Sequence, residues 1–348
     1  MTFSPDGKLL AAASGDGTAE LWNARKAQSL LTHDVGSGSA NLAFSSDGKR
    51  VATAGDNPRI WDVETLRELA AFRDAGHAVR VALSGDGRRL ASLASDNAIR
   101  IWDTRTGREL RQLKASPSQS TAKPLALAAD GKRVAAASSL TAATVWNTDS
   151  GRRLAVLPGH DEVVSVALSP DGKRVATGDA RGVGRVWDVT SGRKVVSLYG
   201  HVGWIYCVAF SPDGKRIATG HNNGLVMVWD AGSGRNLAEF RAHAVVVLSL
   251  AFSPDGARIV TGGSDGTLKV WDAETASEVL TLKGLNGTVS GAAFCLDGNR
   301  LVAGDWDKTI RVWVAATDAE VAAHERAERR PAPPPKAVPA AKSVGGKR

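Results

Sequence analysis

Cysteine is nearly absent: Cys207 and Cys295 are the only two in 348 residues. Neither has the spacing of a zinc site. Both read as small buried hydrophobes of a reducing compartment, which implies a cytoplasmic location. No run of 18 apolar residues occurs, so no membrane-spanning helix is readable and no membrane partner is expected. The opening residues, MTFSPDGK, lack the charged segment followed by an apolar stretch that marks a secretory signal. There is no GxxxxGK[ST] phosphate loop, and the glycine-rich turn at Gly182–Trp187 carries no nucleotide reading. An excess of charge of one sign is lacking over most of the chain. The formal net charge is +8, but from Arg326 onward seven cations face one acid, which leaves only +2 on residues 1–325. Net charge therefore gives no support for nucleic acid on the folded body, a local patch aside.

What the chain has in quantity is repetition. The stretch His243–Asp272, HAVVVLSLAFSPDGARIVTGGSDGTLKVWD, reads as three short antiparallel strands. The first ends at Phe252, the second runs Arg258–Gly262, and the third runs Leu268–Trp271. A fourth β-prone run follows at Glu278–Leu282. Asp255-Gly256 and Asp265-Gly266 turn the chain between strands. An Asp-Gly pair between such runs predicts a type I′ turn with both residues at positive φ. The strand-ending tryptophan recurs at Trp22, Trp61, Trp102, Trp146, Trp187, Trp229, Trp271 and Trp313, spaced 39 to 44 residues apart. The first-turn aspartate recurs at Asp6, Asp47, Asp86, Asp130, Asp171, Asp213, Asp255 and Asp297, always followed by Gly. A period near 42 with four strands per unit predicts a propeller blade.

The pattern SPDG…TG.SDG…VWD, at this spacing over about residues 1–325, resembles the WD-repeat β-propeller family. The resemblance implies an all-β fold of four-stranded antiparallel blades. The repeats favour eight blades, with seven plus a partial repeat as the alternative. No spare strand follows the eighth outer strand for exchange between chain ends, and a monomeric ring is expected. Residues 326–348 hold five of the 13 prolines and are expected to be a disordered tail.

The copies are unequal. Met1 stands two residues before Phe3, so the first repeat lacks most of its inner strand, and the natural protein is expected to extend upstream. The second has a stretched approach and Pro58 in its second turn, which makes that turn tight or places it at an edge. The fourth is the most eroded, with its greatest mobility expected at residues 115–124. The eighth replaces Trp-Asp by Trp-Val, and its outer strand is expected at Glu320–Glu325.

His243, Thr261, Asp265 and Trp271 contain the ingredients of a nucleophilic triad. The resemblance implies another role: in the family, the corresponding residues form a buried hydrogen-bond network that ties the strands of a blade together. The sixth repeat has His201, Thr219, Asn223 and Trp229 in these places. The fifth has His160, Thr177 and Trp187, with Arg181 at the Asp place. His77 lies six residues before Leu83, against nine between His243 and Phe252, and is not expected to serve. A feature repeated in variants around the ring is scaffold, so no catalytic residue is assigned and the protein is not expected to be an enzyme. His221-Asn222-Asn223 reads as a polar loop at a blade turn. No metal or cofactor is expected.

The inner strands carry a different signal. Apolar residues recur five and two places before the strand-ending residue, as Ile205 and Val208 before Phe210 and Val247 and Leu250 before Phe252. A spacing of three in a strand predicts a β-bulge, which frees the positions six and four before the end from the core. In the sixth and seventh repeats these are Trp204, Tyr206, Val246 and Leu248. In the eighth they are Thr288 and Ser290. The resemblance places such positions on a partner-facing rim, together with the residue before the second-turn Asp, which is Trp306 in the eighth repeat. Trp204, Tyr206, Val246, Leu248 and Trp306 then form an apolar, aromatic patch for other proteins or peptides. The alternative is that Trp204 and Trp306 fold onto neighbouring loops.

The expected function is a non-enzymatic protein-interaction scaffold or regulatory module. The abrupt start motivates an alternative, a sensor or recruitment domain of a larger enzyme whose catalytic part lies upstream. A third reading is a small-ligand binder using the central channel, which ionisable residues clustered at its mouth would support.

Overall fold

The structure is a computed structural model. It describes residues 2–3, 9–13, 18–23, 28–34, 42–45, 50–62, 65, 67–73, 76–114, 124–200, 203–282, 288–294, 300–305 and 310–314, with backbone alone at 2–42, 44, 290, 291, 293, 294 and 300–314. Met1–Trp313 forms one compact unit and Val314–Arg348 a second. The expectations for residues 115–123, Trp306, Glu320–Glu325 and the tail fall outside the described residues.

Every described element is a β-strand. The strands form eight antiparallel sheets in chain order, over residues 2–34, 42–71, 78–114, 125–157, 163–198, 205–241, 247–282 and 289–314. The first seven have four strands and the eighth has three among the described residues. Each sheet is a simple meander whose first strand lies beside the first strand of the next sheet. Thr2–Phe3 lies beside both Leu42–Phe44 and Val289–Phe294, so the first and last sheets are neighbours.

The seventh sheet shows how the repeat folds. Its strands are Val247–Phe252, Arg258–Gly263, Leu268–Asp272 and Glu278–Leu282, within one residue of the ends read from the sequence. The turn chemistry differs from that expected. Of the Asp255-Gly256 pair only Gly256 has a positive φ, 71°. The Gly256 N–H donates to the Ser253 carbonyl at 2.8 Å, so the turn is type I followed by a left-handed glycine. Pro254 explains this, because its ring holds φ near −65°, the value a type I turn needs at its second position. Asp255 contributes through its carboxylate, which accepts from the Ser253 hydroxyl at 2.5 Å and the Ala257 N–H at 2.9 Å. The aspartate of each Trp-Asp pair caps the following turn in the same way: Asp272 accepts the Thr275 N–H at 2.8 Å, and Asp230 the Ser233 N–H at 2.7 Å.

The core lies between sheets. Trp271 faces Phe240 of the preceding sheet with ring centroids 4.4 Å apart, and Trp102 faces Phe72 at 5.2 Å. Burying each such ring contributes about 1.5–3 kcal/mol. Gly178, Gly220 and Gly262 stand where the next sheet intrudes. A Cβ on Gly220 would lie 2.7 Å from Val247 Cγ1, and one on Gly262 would lie 2.6 Å from Val289 Cγ1.

In the second, third, fifth and sixth sheets an arginine at the start of the second strand ties the sheet to the next. Arg174 donates to the carbonyls of Gly214 at 2.5 Å and Ala231 at 3.2 Å, with its guanidinium 5.7 Å from the Phe210 ring centre. Arg216 repeats the pattern on Gly256, Ala273 and Phe252. Arg50 reaches Gly87 and Thr104, and Arg89 reaches Gly131 and Thr148.

Candidate functional site

The expected hydrogen-bond network is assembled in the seventh sheet. The Trp271 Nε1–H donates to Thr261 Oγ1 at 3.0 Å, and Thr261 Oγ1 lies 2.9 Å from His243 Nε2. His243 Nδ1 lies 3.0 Å from the Asp265 carboxylate, which also accepts from the Thr267 hydroxyl at 2.7 Å. Because the carboxylate can only accept, the histidine proton sits on Nδ1, and the chain of donors runs one way from indole to carboxylate. Burial pushes the His243 pKa down, with Asp265 opposing, so the ring is neutral at pH 7. Burial also acts to raise the Asp265 pKa, but the Thr267 hydroxyl, the Ala244 N–H and His243 outweigh it and hold the carboxyl low. Thr261 is fully enclosed and bonded on both sides, so it presents no nucleophile to solvent.

The other copies vary. In the fifth sheet the Trp187 Nε1–H donates to Thr177 Oγ1 at 3.1 Å, and His160 Nε2 lies 2.8 Å from the same oxygen. Arg181, at the Asp place, points outward and pairs with Asp161 at 3.2 Å. The buried carboxylate is instead Asp179, paired with Arg185 at 2.6 Å and accepting the Arg181 and Val183 N–H groups. In the sixth sheet the Trp229 Nε1–H donates to Thr219 at 3.0 Å, while His201 lies outside the described residues.

His221 corrects the sequence reading. It is the last residue of the strand Arg216–His221, is 1 % exposed, and lies 3.1 Å from Thr219 Oγ1, so it belongs to the buried network and not to an exposed loop. The three adjacent polar residues suggested a loop, but the strand continues one residue past Gly220 and turns the histidine inward. His77 lies 2.7 Å from Asp56, in the turn of the preceding sheet, which agrees with its excluded role. Among the described residues no group of three or more His, Cys, Asp or Glu is arranged to hold a metal ion. Cys207 is half-buried, 3.6 Å from the Val247 carbonyl, and burial pushes its thiol pKa up to about 12.

On the inner strands the predicted bulges are present. The register slips between Ile205 and Cys207, between Val247 and Ser249, and between Val289 and Gly291. Tyr206 and Leu248 are therefore the extra, unpaired residues of adjacent inner strands. Tyr206 is 36 % exposed, while Trp204, Val246 and Leu248 are half-buried. The Trp204 and Tyr206 rings lie 5.6 Å apart, tilted by 31°. Val245, next to Val246 in the chain, is 54 % exposed; it sits in the connection before the strand, where no periodic signal marked it. The bulge does not free every such position, since Val164 of the fifth sheet is 5 % exposed.

Two cavities lie along the inner strands. One, of about 390 Å³, is lined by Leu83, Leu127, Leu168, Pro170 and Phe210 near the Asp-Gly turns. The other, of about 280 Å³, lies nearer the opposite end and includes Arg80 and Tyr206.

Four-stranded sheets meandering in series, packed face to face with their first strands side by side, define a β-propeller. The spans of residues 1–23, 67–103, 151–188, 192–230, 234–272 and 276–314 match the family described as WD domain, G-beta repeat, and the chain belongs to that family. The first three strands of the second and fourth sheets fall outside the matched spans, and these are the repeats whose sequence departs most from the pattern. The crystal structure of the computationally designed Ika8 protein is similar, with a TM-score of 0.76 at 27% sequence identity over 88% of this chain and 93% of that one. Repeats of this family generally mediate protein–protein interaction or scaffolding, and such propellers are typically non-catalytic. Among the described residues no helix is long and apolar enough to cross a membrane.

Proposed function

We propose that the protein is a non-enzymatic interaction scaffold that docks a partner protein or peptide on the rim of its sixth, seventh and eighth sheets. Trp204, Tyr206, Val246 and Leu248 make the contact, together with Trp306 of the eighth repeat, which lies outside the described residues. The protein works as a monomeric ring in the cytoplasm, with neither nucleic acid nor membrane as a partner of the propeller.

The observation that carries this reading is the pair of bulges that leave Tyr206 and Leu248 outside the strand ladders of neighbouring sheets. A residue held outside the ladder by its backbone costs nothing to present, and an exposed tyrosine beside a tryptophan supplies the rigid apolar area that interface hot spots use.

The test is quantitative capture of partners from native lysate by wild type and by a Tyr206→Ala/Leu248→Ala variant of verified fold. A specific partner retained by wild type, then shown with purified components to bind the variant at least tenfold more weakly, supports the reading. Equal binding to both proteins sinks it.

A further inference from the structure

One inner-strand residue breaks the pattern of all the others. Across the described inner strands, TF, LAF, AVRVAL, LAL, VVSVAL, IYCVAF, VLSLAF and VSGAAF, Arg80 is the only charged side chain. The register identifies what it replaces. Ser165 pairs with Gly178, Cys207 with Gly220, Ser249 with Gly262 and Gly291 with Gly304, a small residue against glycine each time. In the third sheet the pair is Arg80 with Leu93. The small residues serve the junction between sheets: Ser165 donates to the Ile205 carbonyl of the next sheet at 2.9 Å. The third sheet faces a fourth whose inner strand, among the described residues, is Leu125–Leu127.

Among the described residues no carboxylate pairs with the guanidinium. Among the described residues its one hydrogen bond goes to the Val79 carbonyl of its own strand, at 3.4 Å. Burial alone acts on its pKa, downward, with no acid opposing, yet an arginine keeps its charge in a protein. The segments joining sheets one to two, three to four and seven to eight, residues 35–41, 115–123 and 283–287, contain no Asp or Glu. A backbone carbonyl from such a segment can accept a hydrogen bond but cannot neutralise the charge. Beside Arg80 lies the cavity of about 280 Å³, bounded also by Pro124, Leu125, Ser165, Val166 and Tyr206. A partly desolvated cation against an open cavity of mainly polar surface, with Pro124, Leu125 and Val166 on its wall, is an arrangement that recognises an anion with an organic body.

We propose that Arg80 is the anchor of an oxyanion site in the central channel. The site takes a carboxylate or phosphate monoester whose apolar part packs on Pro124, Leu125 and Val166. The guanidinium fork offers paired donors to two oxygens of either group. This site shares Tyr206 with the proposed rim, but its ligand is a small anion and its anchor, Arg80, lies on a different sheet, so the Arg80 variants test it separately from docking of a protein.

The test is isothermal titration of the full chain at constant ionic strength with benzoate, phenyl phosphate and the neutral control benzamide. At least one anion is expected to bind with one-to-one stoichiometry while benzamide does not. Benzoate alone assigns the site to carboxylates, phenyl phosphate alone to phosphate monoesters, and both together to oxyanions of either kind. Arg80→Gln should weaken binding at least tenfold. So should Arg80→Ser, which restores the kind of residue Ser165 and Ser249 supply at the same register and so keeps the fold. Arg153→Gln, at an exposed arginine of an outer strand, should bind as wild type does. Failure of both anions to bind wild type overturns the proposal. Equal affinity for the Arg80 variants, or equal binding of benzamide, does so too.

Discussion

At the scale of single residues, stability rests on polar groups that are buried but aimed. In the seventh sheet every buried polar atom from Trp271 to Asp265 has a partner that can complete its hydrogen bond. Enclosing such a chain costs little when all members are satisfied, and it resists any packing that leaves one unpaired. His160 is less well served: its Nδ1 has no hydrogen-bond partner among the described residues. Burial, assisted by the charge of Arg185 and opposed by Asp179, holds its pKa at about 4. This depression sets a pH dependence. Above the ordinary value of 6.5 the ring is neutral in both folded and unfolded chains, and its contribution to stability is complete. As pH falls from there toward 4 the unfolded chain takes up a proton that the folded chain refuses, removing about 3 kcal/mol in all. Urea unfolding midpoints measured between pH 7 and pH 5 should therefore fall with pH, and His160→Gln should flatten that slope. Identical slopes in the two proteins would show that His160 does not set it.

At the scale of elements, the third, fifth, sixth and seventh sheets are each shaped by two register slips. One, in the inner strand, carries Tyr206 and Leu248 outward. The other lies between the third and fourth strands, beside the repeat tryptophan, as between Val228 and Trp229 or between Val270 and Trp271. It leaves one residue of the outer strand unpaired, which accounts for the exposure of Leu110, Val195, Leu237 and Val279. The turns are equally specific. Gly224 has φ +82°, and a Cβ there would lie 1.9 Å from the His243 carbonyl oxygen. Its own carbonyl accepts the Ala242 and His243 N–H groups at 2.8 and 3.1 Å. Gly224→Ala combines a left-handed backbone with a backbone clash, so it should cost about 3 kcal/mol or more in urea unfolding. A change below 1 kcal/mol would mean that the turn relaxes. By contrast, Asn97 holds φ 64° at the glycine place of the third sheet, because asparagine tolerates that region.

At the scale of the whole molecule, sheets must be held to their neighbours. Tryptophans supply area across junctions, as Trp102 does against Phe72 and Trp271 against Phe240, and arginines supply direction. Arg216 joins two turns of the seventh sheet to the sixth, and Arg174 joins two turns of the sixth to the fifth. Each removed guanidinium abandons hydrogen bonds to carbonyls at a packed junction, so Arg216→Ala should destabilise by about 1.5–3 kcal/mol. Arg216→Lys should recover only part of this, since one ammonium cannot span both carbonyls in a fixed plane. Hydrogen exchange should localise the loss to the junction of the sixth and seventh sheets. Uniform loss around the ring would mean the sheets open together and the arginine has no local role.

Much of this was legible in the residues because the repeat samples the same physics many times. Asp-Gly and Trp mark strand ends in each copy, and an apolar spacing of three is incompatible with a flat strand, so blade order, strand ends and bulges follow from the chain alone. The turn type was misread because Asp-Gly names a place for positive φ, while Pro254 decides which residue adopts it. His221 was misread because whether a residue after a strand's glycine points inward depends on one more pair of backbone hydrogen bonds, which composition does not encode. Net charge concealed Arg80 entirely, since a sum over residues 1–325 has no position. The sequence determined the fold, the sheets and the inner-strand bulges, because those depend on contacts between near neighbours in the chain. Only the tertiary structure decided which polar groups are buried with partners, and that Arg80 of the third sheet faces a cavity lined by residues of the fourth, fifth and sixth. Those facts depend on sheets that meet across tens of residues of chain.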